Sequence, residues 1–244
     1  MDTGNDERLV IALRTAVNDL TGHRSIRDLE QVLGQVVASA VETIPAVDAG
    51  SISMIEQGHV ETRHPTSDLI GRLDDTQSEL GEGPCLSAIE DPPESGLVVA
   101  QDLGGDDAHR WPKFSAAAVE MGFRGLMSTQ LTTEGGMRGA LNLYAREPHA
   151  FDEHSRTLAG LFGVQAALLL YGASQARHLQ RAVDSRDLIG RAKGILAERF
   201  GVDDDTAFQM LVKSSQDTNM KLTAVAQWLT ENTGGARVRP GTAD

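Results

Sequence analysis

Hydrophobic positions along the chain fall into two rhythms. Residues 25–44 carry Ile26, Leu29, Val32, Leu33, Val36, Val37, Ala40 and Val41 as one sustained apolar stripe, the 3.6-residue spacing of an amphipathic helix. A helix over 7–20 is expected before it, and Ser25 followed by Asp28 is a variant capping box that would start the second. The rhythm then shortens to two. Residues 49–56 alternate as a strand, with either Ile52 and Met54 or Ser51, Ser53 and Ile55 as the inward set, and Glu56-Gln57-Gly58-His59 supplies the turn into a second strand. Residues 66–80 are polar and predict a helix, closed by Gly81-Glu82-Gly83; Pro84 then opens a short helix, at the position that suits proline best. A short buried strand over 97–101, a helix over 111–121, a hairpin of 125–131 with 138–145 turning at 132–136, and a closing helix over 151–171 complete this part. Such an order predicts an α+β domain with an antiparallel sheet and flanking helices.

Residues 185–229 keep the helical rhythm throughout and predict three helices. The first places Leu188, Ala192, Ile195 and Leu196 on one face and stops at Gly201. Asp203 is the expected cap of the second, whose positive end suits Asp204 and Asp205, and whose buried face is Ala207, Leu211 and Ser214. The third starts with Thr218 or Asn219 as cap and shows Leu222, Val225, Ala226 and Leu229 at helical spacing. Between 151 and 200 there is no proline and no Gly-Ser linker, so the closing helix is expected to run on into this module, with Gly172 as the weakest point. Leu158, Leu161, Leu168, Leu179, Ala182 and Ile189 fall near a heptad, interrupted by Gln165, Gly172, Gln175 and Arg186. That is a poor coiled coil, yet it makes a homodimer the leading expectation.

Composition adds the partition of charge. With 244 residues, 40% of them hydrophobic, the chain can bury two cores. The expected division is an N-terminal helix (1–24), a sensor domain (25–171), a helical linker (172–184), a three-helix module (185–232) and a disordered tail (233–244). The net charge of −13 argues against nucleic-acid binding by the whole chain. Residues 1–175, however, hold 12 Lys and Arg against 26 Asp and Glu, while residues 176–244 hold 10 against 9. Any contact with phosphate belongs to the second part. The single cysteine, Cys85, excludes an internal disulfide. The polar N-terminus lacks a signal sequence, and the apolar run 158–171 is interrupted by Gln165 and shorter than the about 20 residues of a membrane span. A cytoplasmic protein is expected.

The order Arg191-Ala192-Lys193-Gly194-Ile195-Leu196, Ala207-Phe208, Leu211, Asn219, Lys221-Leu222 and Val225-Ala226 resembles the ANTAR family of RNA-binding antiterminator domains. Ala197 and Ser214-Ser215-Gln216 depart from the family pattern. Upstream, GEGPCLSAI (81–89), FRGLMSTQL (123–131), MRGALNLYA (137–145) and FDEHSRTLAGLFGVQAALLL (151–170) together resemble a GAF domain. The pair implies a bacterial regulator whose first domain senses an unidentified signal, a small-molecule ligand or a partner, and whose second binds RNA hairpins and prevents terminator formation.

Holding an RNA loop needs cations for its backbone, polar groups for its bases and often a planar side chain for stacking. Candidates are Arg186 and Lys193 at the edge of the first helix's stripe, Arg191 within the matched motif, Lys213, Gln209 and Gln216 on the second helix, and Lys221 on the third. Trp228 either stacks on a base or packs against a neighbouring helix, and Asn219 is either a cap or a base contact. Gly190 and Gly194, four apart, leave a surface that a helix or an RNA backbone can approach. No residue identifies the sensor's ligand or a cofactor. The seven histidines lack ligand spacing, and no metal or haem cluster is visible. Cys85, next to a helix start, is either a redox-sensitive thiol of lowered pKa or a buried structural cysteine. One cysteine leaves a reductase without a resolving thiol, and no triad, phosphate loop or zinc motif appears, so the chain reads as non-catalytic. The alternatives are a DNA-binding module, for which the third helix offers mainly Lys221 and Thr223, and a protein-binding one. A phosphorylated receiver domain is not suggested, since Asp74-Asp75 and Asp106-Asp107 lack its alternating strand and helix context.

Overall fold

The computed structural model describes residues 26–56, 58–132 and 138–232. The expected helix over 7–20, the Ser25 cap, most of the 132–136 turn and the tail lie outside them. The chain divides into two compact units, one ending at Ser174 and the other starting at Gln175.

In the first unit β1 (Ala49–Glu56), β2 (His59–Arg63), β3 (Leu97–Ala100), β4 (Gly125–Gln130) and β5 (Gly139–Ala145) form one sheet in the order β2-β1-β5-β4-β3. All four neighbouring pairs are antiparallel. The helices are α1 (Ile26–Thr43), α2 (Asp68–Leu80), α3 (Pro84–Glu90), α4 (Pro112–Glu120) and the start of α5 (Glu153–Phe200). Strand periodicity sends alternate side chains to opposite faces. Ile52, Met54, Met127, Leu141 and Leu143 meet Leu33, Val36 and Val37 of α1 and Phe162 and Ala166 of α5. Leu126, Ala140 and Tyr144 meet Ile70, Leu73, Cys85, Ile89 and Phe114 from α2, α3 and α4. The sheet is thus covered on both faces, which settles the two inward sets read for β1: Ile52 and Met54 face one helical layer, Ser51 and Ser53 the other, and all four are buried.

Close approach of α5 to the sheet depends on Gly163, where an added Cβ would lie 2.2 Å from Thr129 Cγ2. The helix then continues unbroken to Phe200, and the expected weak point at Gly172 lies inside it. By length and composition α5 contains a stretch apolar enough to cross a bilayer, which the shorter run read from sequence did not anticipate. Its Leu158, Ala159, Phe162, Ala166, Leu169 and Leu170 are buried against the sheet, the position of a core helix.

The second unit comprises the end of α5, α6 (Asp204–Thr218) and α7 (Leu222–Asn232). Ala192 and Leu196, Ala207 and Leu211, and Val225 and Ala226 make one small shared core. Ser214, expected within it, is only partly buried. Gly201, at φ 63, ends α5, and Asp203 caps α6 by accepting a 2.7 Å bond from Thr206 N. Asn219 is not the cap of α7. It adopts φ 53 as the left-handed residue closing α6, its N–H donating to Gln216 O, while Lys221 O accepts the first bonds of α7 from Ala224 N and Val225 N.

Replacing Gly163 by Ala is expected to cost about 1–3 kcal/mol by overpacking the α5–β4 contact, read as a lowered urea midpoint at unchanged slope.

Candidate functional site

In the second unit, the last turns of α5 and the start of α6 border an open groove of about 950 Å³ lined by Arg186, Gly190, Arg191, Lys193 and Phe208, with Asp187 also on its wall. Helical spacing brings Arg186, Gly190 and Lys193 onto one side. Gly190, with nothing within 4 Å of an added Cβ, leaves that side low. Arg186 and Arg191 are exposed. Lys193 is not a freely projecting cation: its Nζ lies 2.5 Å from Asp204 Oδ2 and 5.9 Å from the Phe208 ring centroid. Sequence reasoning treated Phe208 only as part of a motif, although its three-residue distance from Asp205 already placed it beside the acidic cap.

Lys213, Gln209 and Gln216 on α6, and Lys221 and Trp228 at α7, are exposed and lie outside this groove's lining. Trp228 is 60% exposed, so of the two readings of its ring, packing against a neighbouring helix is not what the fold uses. The two helix starts differ in sign. That of α6 is occupied by Asp203, Asp204 and Asp205, whereas α7 has no acidic residue in its first turn and is preceded by Lys221. An anion is repelled from the first and favoured at the second.

The first unit holds a polar cluster between the sheet and α2–α3. Asn142 Nδ2 lies 2.9 Å from Ser53 Oγ, 3.2 Å from Asp74 Oδ1 and 3.4 Å from both Ser51 Oγ and Cys85 Sγ, while Ser128 Oγ donates to Asn142 Oδ1. Tyr144 Oη donates to Asp74 Oδ1 at 2.5 Å and accepts from Gln77 Nε2; Gln77 Oε1 accepts from Cys85 N. Asp74 Oδ2 has no hydrogen-bond partner. Burial pushes the Asp74 carboxyl up to about 6, and Asp75 adds to this, against the opposing pull of Ser51, Tyr144 and Asn142. Burial, reinforced by the charge of Asp74, pushes the Cys85 thiol up to about 12. Cys85 was considered as a redox-sensitive thiol activated by a helix start; its 2% exposure and raised pKa oppose that reading, because desolvation outweighs the dipole of a seven-residue helix. Among the described residues no group of histidine, cysteine and carboxylate side chains could hold a metal ion.

These features define an α+β domain with a polar site under its helical cover, followed by a three-helix unit with cations on its surface. A family model of the GAF domain matches residues 26–170, and one of the ANTAR domain matches residues 177–229. The chain belongs to the GAF domain family and carries an ANTAR domain after it, an architecture of sensory regulators rather than of catalysts. Among solved structures it is similar to bacteriophytochrome RpBphP3 from R. palustris, at 13% identity and a TM-score of 0.52, covering 77% of this chain and 42% of that one. The photosensory core module of the Stigmatella aurantiaca phytochrome gives 14% and 0.50, covering 85% and 44%. The GAF domain of a phosphoenolpyruvate-protein phosphotransferase from Coxiella burnetii gives 20% and 0.48, covering 71% and 98%. This chain thus spans less than half of either phytochrome, and at these identities the likeness concerns the fold. No curated protein matches it in sequence.

The Asp74 carboxyl holds its proton more tightly in the fold than in the unfolded chain, where 3.8 is its ordinary value. Its contribution to stability is therefore greatest at low pH, falls as pH rises from about 4 to about 6, and is constant above. Asp74→Asn removes this term. Between pH 4 and pH 7 the urea unfolding free energy of the variant is expected to gain on wild type by about 2 kcal/mol.

Proposed function

We propose that the chain is a cytoplasmic, signal-responsive transcription antitermination regulator, in which the GAF domain takes a small-molecule signal and the ANTAR unit binds RNA hairpins and prevents terminator formation. The observation that carries this is the surface of the second unit: Arg186 and Arg191 on one groove, Lys221 at an acid-free helix start and an exposed Trp228, in a chain whose other part is strongly acidic. Arginines and Lys221 serve the phosphates, Gln216 and Lys213 reach polar edges, and Trp228 offers a stacking plane to an unpaired base. Lys193 holds α6 to α5 through Asp204 and contributes to RNA binding mainly by placing the groove wall. Asn219 shapes the turn before Lys221.

The protein acts as a homodimer in this reading. Val164, Leu168 and Tyr171 of the sensor unit are exposed on α5, as are Leu179 and Val183 of the second unit, at spacings that a second copy of the helix can cover. A dimer presents two RNA units to a paired-hairpin target, and effective concentration then strengthens binding. The second reading is a protein-binding output, favoured by the exposure of Phe200, Met220 and Trp228.

Titrating the full chain with a paired-hairpin RNA and a DNA duplex of equal charge, across a salt series, tests the first reading. RNA is preferred; Trp228→Ala weakens it by about 1–3 kcal/mol, and Arg191→Ala or Lys221→Ala each lowers the salt slope by about 0.7–0.9. Absence of RNA preference transfers the case to the protein-binding reading. Light scattering is expected to show a dimer that Leu168→Glu with Leu179→Glu converts to a monomer; a monomer at every concentration of the unmutated chain ends the dimer reading.

A further inference from the structure

The carboxylate of Asp74 is 1% exposed, and one of its oxygens has no partner. Its hydrogen bonds come from the Tyr144 phenol, the Asn142 amide and the Ser51 hydroxyl, with no cationic side chain among them. Leaving a charge buried without a counter-charge is costly, and proteins tolerate it where something else supplies the positive charge. The surroundings point to what that is. One amide nitrogen, Asn142 Nδ2, has two hydrogens for four atoms with lone pairs within 3.4 Å, Ser51 Oγ, Ser53 Oγ, Asp74 Oδ1 and Cys85 Sγ, although the two hydroxyls and the thiol also carry a hydrogen each. The arrangement carries negative charge, keeps lone pairs free on the two serine oxygens, and already coordinates one nitrogen, that of Asn142. By contrast, in the surface groove of about 610 Å³ beside β3 the arginine and the indole are already committed: Arg110 donates to Val99 O and Asp107, and Trp111 Nε1 to Ser87 Oγ.

We infer that the Asp74 cluster is the sensor's recognition site and that it takes a small cation carrying N–H donors, an ammonium-class ligand, with Asp74 Oδ2 as counter-charge and the Ser51, Ser53 and Cys85 acceptors as hydrogen-bond partners. An anion is excluded by the same carboxylate, and a cation without N–H leaves Asp74 Oδ2 without a hydrogen bond. Ligand and proton compete for one carboxylate, so affinity falls as pH drops through about 6. The other titratable groups facing it are Asp75 beside it on α2, Cys85 of α3 and Tyr144 of β5, and the last two stay protonated in this range. The cluster lies beneath α2, whose Gln77 bonds both to Tyr144 and to the first turn of α3, so occupancy bears on how α2 is seated.

The inference rests on the sensor reading given above. The full chain at pH 7.5 is unfolded by heat in ammonium, methylammonium, tetramethylammonium and sodium chlorides at equal ionic strength, with Asp74→Asn alongside and its own cooperative transition showing that it is folded. A saturable rise in midpoint is expected in ammonium or methylammonium alone, absent from the variant, with half-saturation about tenfold higher at pH 5. Equal midpoints in the four salts, or a rise retained by Asp74→Asn, overturns it. Amide exchange over residues 68–80 separates the two levels of failure. If ammonium ions leave it unchanged while a deproteinised small-molecule extract slows it, the ligand class is wrong and the sensor reading stands; if neither slows it, both are wrong.

Discussion

A sheet covered by helices on both faces must satisfy, without water, every polar group its strands send inward, and the GAF domain of this chain is arranged around that constraint. Ser51, Ser53, Ser128, Asn142 and Tyr144 all project to the face under α2 and α3, and Asn142 on the central β5 ties them together. Its amide touches β1, β4, α2 and α3 through their side chains, so a single group coordinates most of that layer. The opposite face, under α1 and α5, is almost wholly apolar and needs no such device. One face therefore supplies stability, while the other accepts a polar interior at an energetic cost concentrated on Asp74.

Charge is distributed with comparable economy in the ANTAR domain. The end of α5, α6 and α7 share a core of six buried residues, half of them alanine, so little of the surface has to be spent on packing. Lys193 pairs with Asp204 at the acidic start of α6, whereas Arg186, Arg191, Lys213 and Lys221 face solvent. The domain is close to neutral in sum but uneven in detail, and it is the unevenness that a phosphate backbone can read.

Much of the fold was legible in the chain because periodicity and turn chemistry act locally. The strand over 49–56, Pro84 at the first position of α3, Gly201 as a stop and Asp203 as a cap each follow from a few neighbouring residues. What failed was information carried by distant ones. The alternation of β1 announced two candidate inward sets, and only the second helical layer shows that both are inward. Asn219 reads as a starting cap by residue type, yet the turn Asn219–Met220 assigns it to the end of the preceding helix. Of the candidate contacts, Arg191, Lys213 and Trp228 are exposed, whereas the pairing of Lys193 depends on a carboxylate eleven residues away. For Cys85 the sequence left a reactive thiol and a buried structural one open, and burial, which raises its pKa, favours the second. The Asp74 cluster drew no notice because its members lie up to 91 residues apart and none belongs to a recognisable motif.

Glu82 is the remaining long-range device. Its Oε1 accepts from the N–H groups of Lys113 and Phe114, satisfying the start of α4, where Trp111 provides no side-chain cap. A helix of nine residues does not persist alone in water. Its cap arrives only once the turn after α2 has docked, thirty-one residues upstream. The order of assembly is thereby constrained: α4 condenses together with the α2–α3 layer rather than ahead of it, and whatever loosens α2 also uncaps α4, so the two helices open and close as one kinetic unit.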